Sequence, residues 1–456
     1  MNYFYFFAFL GLSVLILIKP ITQSIVNKFL ELKDVRPLGY ITIFIGLLCL
    51  LTATNQNDWH QTMWMLVTFI IGVLLVMRGL ALLLFADHIK SLVTKIFNNY
   101  FRWMIPISMM LVFLAFLIIS RDYLGPEKNI EVCQSDEVID VFCGFKNPED
   151  IVVLPDNEWL LISEFGGIDP FGKDNSSFLK LFNLKTKRIL DINLTFGINE
   201  WGQDSCQRDK NDSFNTHGIG IVERDDGRYQ LGVINHKPRE TVEMFELIKK
   251  DEEWGIEWKG CIEADPTIYL NDIAFFKDGT FYTTYMFDRG LTWNRWLLDV
   301  LFKPETGHVK YWDGKSFSIL EKSFGSQPNG ISLDEDARTL YIAYNTGDSV
   351  KSYDIDKKEI KNTFFVQSPD NIVIKNDSLW VTELNHQPGD SSTCIESIAC
   401  SLPFTIIELD KNKLEPVKEY KVKESAFGLP TVAVPHNDYI YIGSFHADRI
   451  AYLPIK

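Results

Sequence analysis

One short unit recurs six times between residues 148 and 442 of this 456-residue chain, and that recurrence limits the fold more than anything else. The clearest copy is Asn215-Thr-His-Gly-Ile-Gly-Ile-Val followed by Tyr229-Gln-Leu-Gly-Val-Ile-Asn-His. Two apolar runs bounded by polar residues, with a turn at Asp225-Asp-Gly, read as an antiparallel hairpin. The other copies open at Glu149, Asn271, Asn329, Asp370 and Pro430. Each has two polar or small residues, a β-branched residue, a short strand, an acidic or Asn/Gly turn and an apolar strand. A unit of this size cannot bury its apolar face alone, and copies about 40 to 70 residues apart predict a six-bladed β-propeller. If each copy begins the innermost strand of a blade, its opening pair lies at one mouth of the central channel. Those pairs are Glu149-Asp150, His217-Gly218, Asn271-Asp272, Asn329-Gly330, Asp370-Asn371 and Pro430-Thr431. Carboxylates and carboxamides dominate the ring, and such oxygens suit a hard cation, with Ca²⁺ taking about six to eight of them.

The first 121 residues are of another kind. Residues 3–18, 39–54, 62–86 and 103–119 are strongly apolar. A bilayer crossing takes roughly 20 such residues. The expectation is therefore about four α-helical transmembrane spans in 1–121, a linker over 122–147 and an all-β propeller over 148–456. The first run has neither a basic leader nor a small-residue cleavage site, so it reads as a retained span. Loops 19–38 and 87–102 carry Lys19, Lys28, Lys33, Arg36, Lys90, Lys95 and Arg102, whereas 54–62 carries no Lys or Arg. The positive-inside rule then puts both termini and the propeller on the non-cytoplasmic side, periplasmic or extracellular/lumenal.

Charge and cysteine content agree with export. The first 121 residues hold 9 Lys+Arg and 4 Asp+Glu, which leaves 36 against 56 for the remainder, a formal −20. Such a domain repels phosphate, which excludes nucleic acid as a partner. Cys49 falls in a span, and the other six cysteines (133, 143, 206, 261, 394 and 400) form an even set outside. Spacing does not fix their pairing; local bridges Cys133–Cys143 and Cys394–Cys400 are the expectation. No C-x₂-C pair points to zinc, and no G-x-S-x-G points to serine catalysis. Helical periodicity in the outer part is weak and confined to Thr292–Phe302, an apolar, aromatic stretch. It reads as a blade insertion packed on the propeller, with a lid over the mouth or a membrane-resting surface as alternatives.

At this point a resemblance is specific. Glu149-Asp-Ile-x-x-Leu-Pro, Ser213-Phe-Asn-Thr-His-Gly-Ile, Val233-Ile-Asn-His, Thr241-Val-Glu-Met-Phe, Leu270-Asn-Asp-Ile, Asn329-Gly-Ile and Asp370-Asn-Ile, in this order, resemble the paraoxonase family of calcium-dependent arylesterases and lactonases. The resemblance implies two Ca²⁺ ions. It assigns a catalytic ion to Glu149, Asn271, Asn329, Asp370 and Asn371, and a structural ion to Asp150, Asp272 and the carbonyl of Ile219. It assigns a histidine dyad to His217 and His236. Three departures stand out. The family usually has one N-terminal hydrophobic helix. It closes its ring with a cysteine near the chain end, absent from Ala451-Tyr-Leu-Pro-Ile, so strand pairing is expected to close this one. After Trp380 it has a pocket histidine, where this chain has Leu384 and His386.

The implied activity is calcium-dependent hydrolysis of small-molecule carboxylic esters, lactones and aryl esters, with organophosphate triesters as a side activity. Calcium would polarise the carbonyl, and the dyad or the ion itself would activate water. The alternatives are a gluconolactonase-like or strictosidine-synthase-like propeller enzyme, or a calcium-stabilised binding module that hydrolyses nothing.

Overall fold

The computed structural model describes residues 2–54, 63–120, 128–168, 175–250, 253–386 and 397–455, in two compact units, Met1–Gly125 and Pro126–Lys456. In the first, Asn2–Leu17 leads into Lys19–Glu31, and Pro20 sits in the opening turn of the second helix, where its missing N–H costs nothing. Arg36–Ala53, Met63–Leu84, Ala86–Asn98 and Tyr100–Ser120 follow. Three helical stretches, Arg36–Ala53, Trp64–Leu84 and Tyr100–Ile118, are long and apolar enough to cross a membrane. They become four if Phe4–Leu17 and Lys19–Glu31, bent by 87°, form one span. The loops expected at 19–38 and 87–102 are largely amphipathic helices, Lys19–Glu31 and Ala86–Asn98. Their charges had hidden an apolar face at 3.6-residue period. Residues 55–62 of the loop used for the orientation argument lie outside the described residues.

In the second unit the six sequence copies are the edge strands of six sheets: Pro148–Val153, Thr216–Glu223, Ile268–Phe275, Pro328–Asp334, Ile372–Lys375 and Pro430–His436. Each packs against the next, and the sixth against the first, so they close a ring around the channel. Five sheets have four strands. The second has five, because Asn193–Phe196 adds in parallel to Glu253–Glu263. Apolar clusters fill the spaces between neighbouring blades; one joins Leu160 and Ile162 of the first to Val432 and Tyr441 of the last.

The ring closes by strand pairing. Asp140–Cys143 is the outer strand of the last blade, antiparallel to Arg449–Pro454, with Val141 opposite Ala451. The segment 122–147 is therefore not simply a linker: Ile130, Ile139 and Val141 are buried, and Arg449 donates to the Ile130 carbonyl at 2.8 Å. Cys133–Cys143 staples this segment, as expected, and Cys206–Cys261 links strand Glu253–Glu263 to the loop between Asn193–Phe196 and Thr216–Glu223. Cys400 is disulfide-bonded, while Cys394 lies outside the described residues. Trp293–Phe302 is a helix inserted between two strands of the third blade, capped by Thr292.

Candidate active site at the channel mouth

Five of the six inner strands break their ladder register where the opening pair sits, between Pro148/Asp150, Thr216/Ile219, Leu270/Ile273, Pro328/Ile331 and Pro430/Ala433. In the fifth blade Asp370 and Asn371 precede the strand. Such breaks re-aim side chains that a regular strand would send to opposite faces. Glycine makes the crowding possible. A Cβ at Gly218 would stand 2.4 Å from the Asn271 carbonyl oxygen, and one at Gly330 would stand 2.4 Å from Asn371 Cα.

Glu149, His217, Asn271, Asn329 and Asp370 line one cavity of about 630 Å³. Its wall is otherwise mainly apolar, with Phe165, Ile168, Met286 and Phe287 from the blades and Trp293, Trp296 and Val300 from the inserted helix. The helix is thus a blade insertion that also walls the cavity; Leu301 and Phe302 at its end are exposed. Leu384 and His386 both reach the lining.

The ring oxygens share one property. Glu149 Oε2, Asn271 Oδ1, Asn329 Oδ1, Asp370 Oδ1 and Asn371 Oδ1 are all buried and have no hydrogen-bond partner among the described residues. Buried polar atoms are ordinarily satisfied, so five such oxygens from three neighbouring blades and the first form a cradle of acceptors. Asn371 ties it together, its Nδ2 donating to Glu149 Oε1 at 2.9 Å. Among the described residues no three His, Cys, Asp or Glu side chains group as a metal site, since three of these five donors are carboxamides.

Asp150 and Asp272 sit one residue further along and behave differently. Asp150 accepts from Ile151 N and, across the blade gap, from Ile219 N, both at 2.8 Å. Asp272 accepts from Ile273 N at 2.7 Å and from Ile331 N of the next blade at 2.8 Å. They pin the first blade to the second and the third to the fourth. Burial raises the carboxyl of Asp150 to about 6 and that of Asp370 to about 8. Burial, then the charge of Asp150, pushes Asp272 well above the carboxylate range, and burial with the Asp150, Asp370 and Asp272 charges does the same to Glu149. Four carboxylates repelling one another out of water favour protons or a cation.

The two expected histidines meet: His217 Nδ1 lies 3.0 Å from His236 Nε2. Phe165 stacks on His217 at 4.3 Å between centroids, and Tyr269 on His236 at 4.0 Å. His217 Nε2 is 3.9 Å from Glu149 Oε1, so the pair abuts the ring. Burial, with the His236 charge second, holds His217 well below the usual histidine value, which keeps it neutral. Sequence reasoning passed over Glu240, which meets His236 Nδ1 at 3.0 Å, and Arg289, which pairs with Glu240. Only Glu240's place four residues past His236 hinted at it.

The outer domain is a six-bladed propeller with buried, unpartnered oxygens and a histidine pair at one channel mouth. The chain belongs to the arylesterase (paraoxonase) family, whose model matches residues 128–447. At the level of that family it is an ester hydrolase. No curated protein matches the sequence. Among solved structures, a luciferin-regenerating enzyme is similar at 14% identity and TM-score 0.42, over 68% of this chain and 92% of that one. A putative oxidoreductase (glucose dehydrogenase) of Thermus thermophilus is similar at 14% identity and TM-score 0.37, over 69% and 100%. A chain of a nidogen/laminin complex follows at 11% and 0.34, over 63% and 83%.

Proposed function

We propose that this protein is a membrane-anchored, calcium-dependent hydrolase of lactones and aryl esters, working on the non-cytoplasmic side of its membrane. The observation that carries the reading is the set of buried, unpartnered oxygens of Glu149, Asn271, Asn329 and Asp370 that line one cavity with His217, backed by Asn371 and by His236. Glu149, Asn271, Asn329, Asp370 and Asn371 are the residues that would hold a catalytic Ca²⁺, because all-oxygen donors of mixed charge suit that ion. Asp150, Asp272 and the Ile219 carbonyl would hold a structural one between blades. When bound, the catalytic ion supplies a Lewis acid for an ester carbonyl and its developing oxyanion.

The protein's own groups do the rest. Phe165, Ile168, Met286, Phe287, Trp293 and Trp296 bind the apolar body of the substrate and keep bulk water from it. His217 Nε2, neutral and facing the ring, takes a proton from the attacking water, and His236 takes the proton at His217 Nδ1 in relay. Arg36–Ala53, Trp64–Leu84 and Tyr100–Ile118 anchor the chain in the bilayer. Disulfides Cys133–Cys143 and Cys206–Cys261 fit an oxidising compartment for the propeller.

The test is a panel of aryl esters and lactones assayed on the full-length protein in CaCl₂ and in EGTA. Hydrolysis that EGTA abolishes and CaCl₂ restores supports the reading. Turnover that persists in EGTA removes calcium from it, and no turnover on any ester or lactone in CaCl₂ leaves a binding module.

A further inference from the structure

The hydrogen-bond chain that begins at the cavity does not stop at His236. His236 Nδ1 lies 3.1 and 3.0 Å from the two carboxylate oxygens of Glu240, a buried residue. Glu240 also accepts from Leu270 N at 2.8 Å and from the guanidinium of Arg289. Arg289 donates again to the His236 carbonyl at 3.3 Å and to the Ile268 carbonyl at 3.3 Å. It lies 5.3 Å over the ring of Tyr269, the same ring that stacks on His236. His236 is thus gripped at its edge, its face and its backbone by one ion pair, its carboxylate buried and its guanidinium partly exposed, and by one aromatic ring.

We propose that Glu240, held by Arg289, is a positioning residue that fixes the tautomers of both histidines. A carboxylate paired with a guanidinium only accepts. The proton of neutral His236 therefore sits on Nδ1, and its Nε2 offers a lone pair. That lone pair must be met by a donor, so His217 carries its proton on Nδ1. His217 Nε2 is then left as a lone pair on the cavity side, the state a general base needs. The opposite arrangement would point an N–H at the cavity and make His217 useless as an acceptor. Burying the Glu240 carboxylate costs desolvation that a packed apolar side chain would not. A tautomer lock gives it a purpose.

The catalytic consequence rests on the histidine-pair reading above, but the tautomer assignment does not. In Glu240→Gln one of the two oxygens that face His236 Nδ1 becomes an NH₂; Leu270 N, bonded to Oε1, and Arg289, bonded to Oε2, then compete for the single oxygen left, and the NH₂ donates to His236 Nδ1. Both rings then adopt the reverse tautomer. Glu240→Asp keeps the carboxylate. The experiment is ring ¹H–¹⁵N correlation spectroscopy of the ¹⁵N-histidine-labelled full-length protein, with kcat and KM for a lactone measured alongside. Expected are Nδ1–H rings at 217 and 236 in the unaltered protein and Nε2–H rings in Glu240→Gln. With the reversal, kcat should fall about 100-fold at unchanged KM, and Glu240→Asp should recover most of both. An Nε2–H ring at His236 in the unaltered protein overturns the proposal without any variant having to fold. So does a Glu240→Gln protein whose ring spectrum is unchanged. Reversed tautomers with undiminished kcat uphold the lock and remove the histidine pair from the reaction.

Discussion

Gly218→Ala tests the ring geometry most directly. The φ of Gly218 lies outside the left-handed region, so alanine introduces no backbone strain there. By itself the change should stabilise by about 0.4–1 kcal/mol, through loss of freedom in the unfolded chain. The contact reverses the sign. The new methyl would stand 2.4 Å from the Asn271 carbonyl oxygen and 2.7 Å from both Asp272 Cα and Asp272 Oδ1, where ordinary contact begins at 3.4 Å. The third blade's inner strand must therefore retreat by about 1 Å, and neither obstructing backbone atom can rotate away. Overpacking of this kind costs about 1–3 kcal/mol. The displaced residues are Asn271, a ring donor, and Asp272, which bridges to Ile331 N. A misplacement of about 1 Å at a reacting centre costs about 100-fold in rate. The assays are kcat/KM on an aryl ester and the thermal midpoint, each in CaCl₂ and in EGTA. We expect a fall in both quantities in CaCl₂, together with a higher calcium concentration for half-maximal activity. A variant as active as the parent, with an equal or raised midpoint, would show that the inner strands do not approach this closely and would undo the ring.

Asp370→Ala should abolish hydrolysis in CaCl₂ while circular dichroism and the elution volume stay unchanged; full activity would discredit the donor set. Thermal midpoints from pH 5 to 8 should depend on calcium in a signed way. Asp370 and Asp150, raised to about 8 and about 6, keep protons in the folded state that the unfolded state has released, so stability in EGTA should fall as pH rises through that range. Saturating CaCl₂ should flatten or reverse that slope, and identical slopes would mean that the carboxylates do not face a cation. Replacing Cys206 and Cys261 together by alanine opens a loop with a sequence separation of 55 and should cost up to about 4 kcal/mol, read by urea denaturation. Activity at 25 °C should survive, because neither cysteine lines the cavity.

The parts of this protein that could be read in advance are those that repeat. Six copies carry their own register, so the edge strands and the places of their opening pairs follow from one alignment of the chain against itself, whereas the pairing of His217 with His236 is what the family resemblance implies. What escaped it occurs once. The closing strand Asp140–Cys143 is four residues with two apolar side chains, too short to show a period. Cys206–Cys261 spans a blade, and spacing favours nearby partners over distant ones. Glu240 and Arg289 are two charges in a chain where charged residues are 23% of the total, and only the fold makes them a pair. Lys19–Glu31 and Ala86–Asn98 were masked by the basic residues that made them useful for orientation.

Alternation ought to have defeated the ring. Successive residues of a regular strand face opposite ways, so Glu149 and Asp150 should not both serve the channel, nor should Asn271 and Asp272. The register breaks at Pro148/Asp150 and Leu270/Ile273 remove the conflict. At each break the first residue of the pair turns to the cavity with an oxygen left over, and the second turns along the ring to hold the neighbouring blade. One irregularity thus divides adjacent side chains between binding and closure. Gly218 and Gly330 supply the room, because any Cβ there would occupy the space that the next blade's backbone takes. The site and the ring closure are consequently not separable: a change that loosens the contact between inner strands moves the donors, and a change that removes a donor's charge alters the repulsion among the buried carboxylates that hold the strands.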